Sequence, residues 1–127
     1  MKLMIIDDQI VVRKTIIKFL AEFPDLVLVG QAADGSEALE KFNLLLPDIV
    51  TLDLTLPSID GLTCLVKFKQ IKPAVKIVVI TALSDKATSL LALSKGAYAC
   101  LHKPISKEKL GITFQKILNG TIYVTNT

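Results

Sequence analysis

Short apolar runs alternate with amphipathic segments along the whole chain. The apolar runs, rich in Ile, Leu and Val, predict strands at 3–6, 26–30, 48–52, 76–80 and 99–102. The amphipathic segments predict helices near 10–22, 35–46, 61–71, 85–95 and 106–118. Strands that are apolar throughout are typical of parallel sheets buried on both faces. The pattern therefore predicts an α/β fold in which five βα units form a doubly wound parallel sheet.

Polar residues mark several of the predicted helix ends. The stretch Asp34-Gly35-Ser36-Glu37 reads as a turn followed by an N-cap at Ser36. Ser84-Asp85 and Ser106 are similar start signals, and Lys95-Gly96 is a stop signal. These helix start and stop signals support the division of the chain into alternating strands and helices.

Length and charge bound the class of protein. With 127 residues, of which 51% are hydrophobic, the chain can bury one sizeable core. We expect one domain over residues 1–120 and a tail, or the start of a linker, over 121–127.

The net charge of +3 is small and the lysines are dispersed, so we expect no direct nucleic-acid binding. No apolar run approaches the roughly 18 residues of a membrane span, and we expect no membrane association and a cytoplasmic location.

The two cysteines, Cys64 and Cys100, lie in apolar surroundings and lack the spacing of a metal site. We expect both to be buried free thiols and not a disulfide or a zinc site.

Candidate chemistry gathers where the predicted strands end. Asp7-Asp8 follow the first strand, Asp53 the third, Thr81 the fourth and Lys103-Pro104 the fifth. Sites in doubly wound folds lie at the carboxyl edge of the sheet, so we expect three carboxylates, a hydroxyl and an ammonium in one crevice. Each residue alone has a structural explanation, as a helix cap, a turn residue or a surface lysine. Their coincidence favours a functional site.

Carboxylates crowded into one crevice repel one another unless a cation is present. Mg2+ fits, because it takes one or two protein carboxylates and leaves positions for phosphate oxygens. A carboxylate can also attack phosphorus and form an acyl phosphate. Lys103 would then neutralise charge on the transferring group, and the Thr81 hydroxyl would hydrogen-bond a phosphoryl oxygen.

These residues resemble the receiver (CheY-like) domains of two-component response regulators. The resemblance rests on Asp7-Asp8, the D-x-x-[LM]-P-x-x-D-G stretch from Asp53 to Gly61, Thr81-Ala82, Gly96-Ala97 and Lys103-Pro104, and it covers about residues 2–118. It implies a flavodoxin-like five-stranded sheet of order 2-1-3-4-5 with five helices. It also implies that Asp53 accepts a phosphoryl group from a sensor histidine kinase or a phosphotransfer protein.

The resemblance further assigns the ligands of the metal. Asp8 and Asp53 would bind Mg2+ directly, Thr55 would bind it through its backbone carbonyl, and Asp7 would act mostly through water. Thr81 and Lys103 would contact the phosphoryl group. The peptide bond before Pro104 would be cis.

The resemblance also implies a phosphoacceptor switch that assists its own phosphorylation and dephosphorylation, and not an enzyme acting on external substrates. The resemblance implies that it controls a target protein or a fused output domain through the face of the fourth helix, fifth strand and fifth helix. A phosphorylation-dependent homodimer is an alternative. Residues 120–124 resemble the start of linkers to helix-turn-helix domains, so both a single-domain protein and a receiver from a longer regulator remain open.

One position departs from the family pattern. Receivers usually carry Tyr or Phe three residues before the lysine, and this chain has Cys100 there. The usual coupling between the Thr81 hydroxyl and an aromatic ring is therefore absent. Strand alternation makes Tyr98 a same-face neighbour of Cys100 and not its replacement. We expect Thr81 and the loop that follows it to carry the switch.

Three other interpretations are weaker. A haloacid-dehalogenase-like phosphatase, acting with Mg2+ on phosphorylated substrates, needs a second acid where this chain has Thr55. A flavodoxin would bind a phosphate after the first strand, where Asp7-Asp8 would repel it. A degenerate receiver, acting only as a protein-interaction module, would lack part of the phosphorylation set.

Overall fold

The computed structural model describes residues 1–120, and the expected tail or linker over 121–127 lies outside the described residues. The strands are β1 (Lys2–Ile6), β2 (Val27–Ala32), β3 (Ile49–Leu52), β4 (Lys76–Thr81) and β5 (Ala99–His102). The helices are α1 (Ile10–Phe19), α2 (Gly35–Leu45), α3 (Gly61–Ile71), α4 (Lys86–Ser94) and α5 (Lys107–Leu118), with a 3-10 turn at Leu20–Glu22. The predicted alternation of elements is confirmed.

All four strand pairings are parallel, and the sheet order is β2-β1-β3-β4-β5. The chain thus winds outward in one direction from β1 to β2 and in the other direction from β3 to β5. This is the predicted flavodoxin-like order. The point where the winding reverses lies between β1 and β3, and in such folds ligands bind beyond the carboxyl ends of the strands at this point.

The sheet separates two apolar clusters. Met4 and Ile6 of β1 belong to the cluster that includes buried residues of α2, α3 and α4, whereas Leu3 and Ile5 belong to the cluster on the α1 and α5 side. This division follows from the alternation of side chains along a strand. Phe42 and Phe68 stack in the first cluster with ring centroids 4.2 Å apart. Both faces of β1 and β3 are therefore buried up to the carboxyl ends of the strands.

The predicted N-cap of α2 at Ser36 is wrong. Asp34 caps the helix instead, with its carboxylate accepting a hydrogen bond from the Glu37 N–H. Asp34 has an extended backbone, as N-caps do, whereas Ser36 already lies inside the helix. The start signals at Asp85 and Ser106 are confirmed, because both side chains cap their helices.

The Thr51 hydroxyl on β3 is buried and has no hydrogen-bond partner among residues 1–120. An unpaired buried hydroxyl is unfavourable. We therefore expect Thr51→Val, which keeps the shape of the side chain, to raise the free energy of unfolding by about 1 kcal/mol in urea denaturation. Thr113→Val is the matched control, because the Thr113 hydroxyl donates to the Lys109 carbonyl at 2.9 Å and that bond would be lost. A destabilised Thr51→Val variant would contradict the assignment.

Candidate functional site

The loop after β1 brings two carboxylates to the carboxyl edge. Asp7 is only 2% exposed, and its carboxylate accepts a hydrogen bond from the Gln9 N–H at 2.9 Å. Asp8 is exposed, and no hydrogen bond engages its carboxylate within residues 1–120. The two neighbours therefore differ: one acid is fixed inside the crevice and the other is free to take a ligand from solvent.

Asp53 follows β3 directly, and it is 3% exposed. Its backbone N–H donates to the Ile6 carbonyl at 3.0 Å, which continues the pairing of β3 with β1. One carboxylate oxygen accepts a hydrogen bond from the Thr55 N–H at 3.1 Å. The side chain is thus oriented by its own loop at the switch point of the sheet.

Lys103 reaches this crevice from the end of β5. Its ammonium lies 2.9 Å from a carboxylate oxygen of Asp7 and 3.2 Å from one of Asp53, and it donates to the Gln9 side-chain oxygen at 3.2 Å. The Lys103 N–H donates to the Thr81 carbonyl at 2.8 Å. The Lys103–Pro104 peptide bond is cis. One cation therefore joins the ends of β1 and β3 across the end of β4.

A single ammonium does not offset the negative charge here. Burial raises the pKa of the Asp7 carboxyl, and the Asp53 charge acts in the same direction, while hydrogen bonds from Gln9 and Lys103 oppose them. Burial acts to lower the pKa of Lys103, but its hydrogen bond to Asp7 and the charges of Asp53 and Asp7 outweigh burial, so that this pKa is raised. The crevice is an environment that favours an additional cation.

The donor set fits a hard divalent ion. One carboxylate oxygen from each of Asp7, Asp8 and Asp53 lies within 4.8 Å of the other two. A cleft of about 320 Å³ opens over Asp8, Asp53, Thr55 and Lys103. Oxygen ligands and an open, water-accessible side are what Mg2+ requires.

Thr81 ends β4 and is fully buried. Its hydroxyl accepts a hydrogen bond from the Leu83 N–H at 3.1 Å, and within residues 1–120 no hydrogen bond joins it to Asp53. The predicted site residue is therefore near the edge but is engaged by its own loop. The carbonyl of Leu83 in turn lies 3.1 Å from Nδ1 of His102 on β5.

The loop between Asp53 and α3 is tied to the start of α2. The Gly35 N–H donates to the Pro57 carbonyl at 3.1 Å, and the Ser36 N–H donates to the Ser58 hydroxyl at 3.1 Å. Gly61 begins α3, and its Cα lies so close to this loop that a Cβ would be 2.2 Å from the Asp53 carbonyl oxygen. The site loop is therefore packed backbone against backbone.

Comparison with known proteins identifies the family. A family model described as "Response regulator receiver domain" matches residues 3–115. The chain belongs to this family. It is 34% identical to the chemotaxis protein CheY of Listeria monocytogenes over 110 residues, which are 87% of this chain and 92% of that protein.

Two further relatives of this receiver domain are informative. It is 40% identical over 127 residues to YhcZ of Bacillus subtilis, an uncharacterised transcriptional regulatory protein, and spans 58% of that protein. It is 28% identical, with a TM-score of 0.87, to a Borrelia burgdorferi chain from the crystal structure of a CheX-CheY-BeF3-Mg+2 complex, and the match covers 92% of this chain and 88% of that one. Receiver domains bind Mg2+ through an acidic pocket, and Asp7, Asp8 and Asp53 form such a pocket here.

The aromatic position of this receiver domain holds Cys100. The prediction that this thiol is buried is wrong, because Cys100 is only half-buried. Its thiol lies 3.5 Å from the Ser89 hydroxyl of α4. Tyr98 precedes β5 and is exposed, and the Lys76 ammonium lies 5.8 Å from its ring centroid at the opposite end of β4 from Thr81. Both cysteines are free, as expected, and burial raises the pKa of the Cys64 thiol to about 11.

The sequence did not predict a role for Gln9. In this receiver domain it is the N-cap residue of α1, yet its side chain makes no capping bond and instead accepts from Lys103. The only sequence feature that pointed to Gln9 was its place directly after Asp7-Asp8.

Among residues 1–120, no helix is both long enough and apolar enough to cross a membrane.

Proposed function

We propose that Asp53 accepts a phosphoryl group from the phosphohistidine of a sensor kinase or a phosphotransfer protein in a Mg2+-dependent reaction. The observation that carries the proposal is the buried Asp53 carboxylate, which lies 3.2 Å from the Lys103 ammonium beside two further acids. A carboxylate oxygen attacks phosphorus, the bond from phosphorus to the imidazole nitrogen breaks, and the imidazole leaves with that electron pair. The product is an acyl phosphate on Asp53.

The other residues stabilise the transferring group. Lys103 is already in place to pair with a phosphoryl oxygen, and Thr81 would donate its hydroxyl to another. Asp8, Asp53 and the Thr55 carbonyl would hold Mg2+, with Asp7 acting through water. When bound, the metal offsets the charge of the carboxylates and of the transferring phosphoryl group. This chain has Thr55 where a phosphatase would need its second acid, so turnover of external substrates is not expected.

Asp8 and Lys103 should separate metal binding from phosphoryl binding. Asp8→Ala removes an oxygen ligand, so we expect it to weaken Mg2+ binding in calorimetric titration and to slow labelling by acetyl phosphate. Lys103→Ala removes a cation that lies beside Asp7 and Asp53, so we expect Mg2+ affinity to be kept or increased while labelling slows. If Lys103→Ala lost Mg2+ affinity and Asp8→Ala retained it, the two roles would be reversed.

The output is proposed to start at Thr81 and to reach a target protein, a fused output domain or a second copy through the α4-β5-α5 face. Leu90, Leu91 and Leu93 of α4 are exposed on the surface next to this route. The match to 92% of the Listeria CheY supports a free-standing switch, and the match to 58% of the longer transcriptional regulatory protein YhcZ supports a fused one.

The absence of a ring at Cys100 gives a test of this route. We expect beryllofluoride and Mg2+ to change amide hydrogen exchange in residues 55–61 and 82–95. Cys100→Ala should keep that change, because the hydrogen bond of the thiol is to Ser89 of α4 and not to Thr81, whereas Thr81→Ala should reduce it. A Cys100→Ala variant that is phosphorylated normally but shows no exchange response would refute the route.

A further inference from the structure

Arg13 of α1 binds the main chain of the acid loop. Its guanidinium Nη1 donates to the Asp7 carbonyl at 2.7 Å, and its Nε donates to the Gln31 side-chain oxygen at 3.1 Å. The contact is with the carbonyl of Asp7 and not with its carboxylate. Arg13 is half-buried, is the fourth residue of the helix, and makes no side-chain hydrogen bond within residues 1–120 to the groups that would meet phosphate.

The position of the Asp8 side chain depends on this backbone contact. The Asp8 carboxylate has no hydrogen bond within residues 1–120, so it is oriented only through its main chain. The peptide group that joins Asp7 to Asp8 is planar, and a fixed Asp7 carbonyl therefore fixes the direction in which the chain enters Asp8. On the other side of Asp8, the Gln9 N–H is fixed to the Asp7 carboxylate.

Gln31 fixes the guanidinium in turn. Gln31 lies on β2 opposite Ile5 of β1, and its backbone carbonyl accepts a hydrogen bond from the Lys41 ammonium at 2.6 Å. Because the Arg13 guanidinium donates hydrogen bonds at two points, its plane has one orientation. A lysine ammonium in the same place would not be oriented in this way.

We propose that Arg13, held by Gln31, is a positioning residue that orients the Asp7–Asp8 peptide and thereby sets the affinity of the site for Mg2+. The inference rests on the proposed function, in which Asp8 is a metal ligand. Groups that orient metal ligands without touching the metal commonly contribute 10-fold or more to affinity.

The test compares Arg13→Ala and Gln31→Ala with Lys14→Ala. Lys14 is the exposed neighbour of Arg13 on α1, so its replacement removes the same charge without removing either bond. We expect Arg13→Ala to raise the Kd for Mg2+ by about 10-fold in calorimetric titration, and Gln31→Ala to raise it less. Lys14→Ala should bind Mg2+ like the wild type. At saturating Mg2+ the rate of labelling by acetyl phosphate should return close to the wild-type value in both Arg13→Ala and Gln31→Ala.

The outcomes separate this role from simple stabilisation. A lower melting temperature in EDTA with an unchanged Kd for Mg2+ would overturn the proposal, and so would a Lys14→Ala variant that weakens binding as much as Arg13→Ala. If Arg13→Ala does not fold, an unchanged Kd in Gln31→Ala overturns it. A wild-type domain that binds no Mg2+ would instead refute the proposed function itself.

Discussion

Asp53→Asn should abolish phosphoryl labelling. In the wild type, acetyl phosphate with Mg2+ should add one phosphoryl group, detected by intact-mass spectrometry and removed by hydroxylamine, which cleaves acyl phosphates. The amide of Asn keeps the size of the side chain but is not a nucleophile toward phosphorus, so labelling should fall to background. The fold should survive, because the Asp53 N–H still pairs with Ile6 and Lys103 still has Asp7 as a partner.

Asp60→Asn is the control on the same loop. Asp60 caps α3 through the Thr63 N–H at 2.9 Å, and Asn is an equally good N-cap, so the variant should fold and label normally. Full labelling of Asp53→Asn would show that another residue is the acceptor. Wild-type labelling undiminished by EDTA would remove Mg2+ from the reaction.

Gly61→Ala should strongly destabilise the domain. A Cβ at this position would lie 2.2 Å from the Asp53 carbonyl oxygen and 2.5 Å from the Leu54 Cα. Both are backbone atoms, and the Gly61 N–H is itself bonded to the Leu54 carbonyl, so the loop cannot yield without moving Asp53. We expect the free energy of unfolding to fall by about 3 kcal/mol in urea denaturation. Labelling should fall as well, because the acceptor is displaced.

Gly111→Ala is the matched control within α5. The nearest atom to its added Cβ is Phe23 Cζ at 3.5 Å, an ordinary contact. Because Ala favours a helix interior over Gly, this variant should be more stable by about 0.5 to 1 kcal/mol. Equal effects of the two substitutions would contradict the close approach at Gly61.

The sheet order and the proximity of Asp7, Asp53 and Lys103 could be predicted from sequence, because both follow from short-range patterns of apolar and polar residues. The strands β1, β3 and β5 are short, mainly apolar runs, and Asp7, Asp53 and Lys103 each stand directly after one. The parallel arrangement then brings the strand ends together whatever the distance between them along the chain.

The finer contacts could not be predicted, because they depend on partners far along the chain. Asp34 and Ser36 are both good cap residues, and the bonds of Gly35 and Ser36 to the Pro57–Ser58 loop place the helix start after Asp34. The bond of Arg13 to Gln31 has no local signal, because Gln31 comes from β2. Cys100 is half-buried and contacts Ser89 of α4, and the strand pattern does not describe the packing of that helix.

The bond between the Thr81 hydroxyl and the Leu83 N–H has a consequence for basal signalling. If the hydroxyl moves to a phosphoryl oxygen, it leaves this N–H without its acceptor, at a cost of about 1 kcal/mol unless the loop rearranges. Without phosphate there is no gain to offset that cost, so the unphosphorylated ensemble is biased toward the resting form. If Thr81 carries the switch as proposed, this one hydrogen bond lowers the fraction of unphosphorylated molecules in the active form.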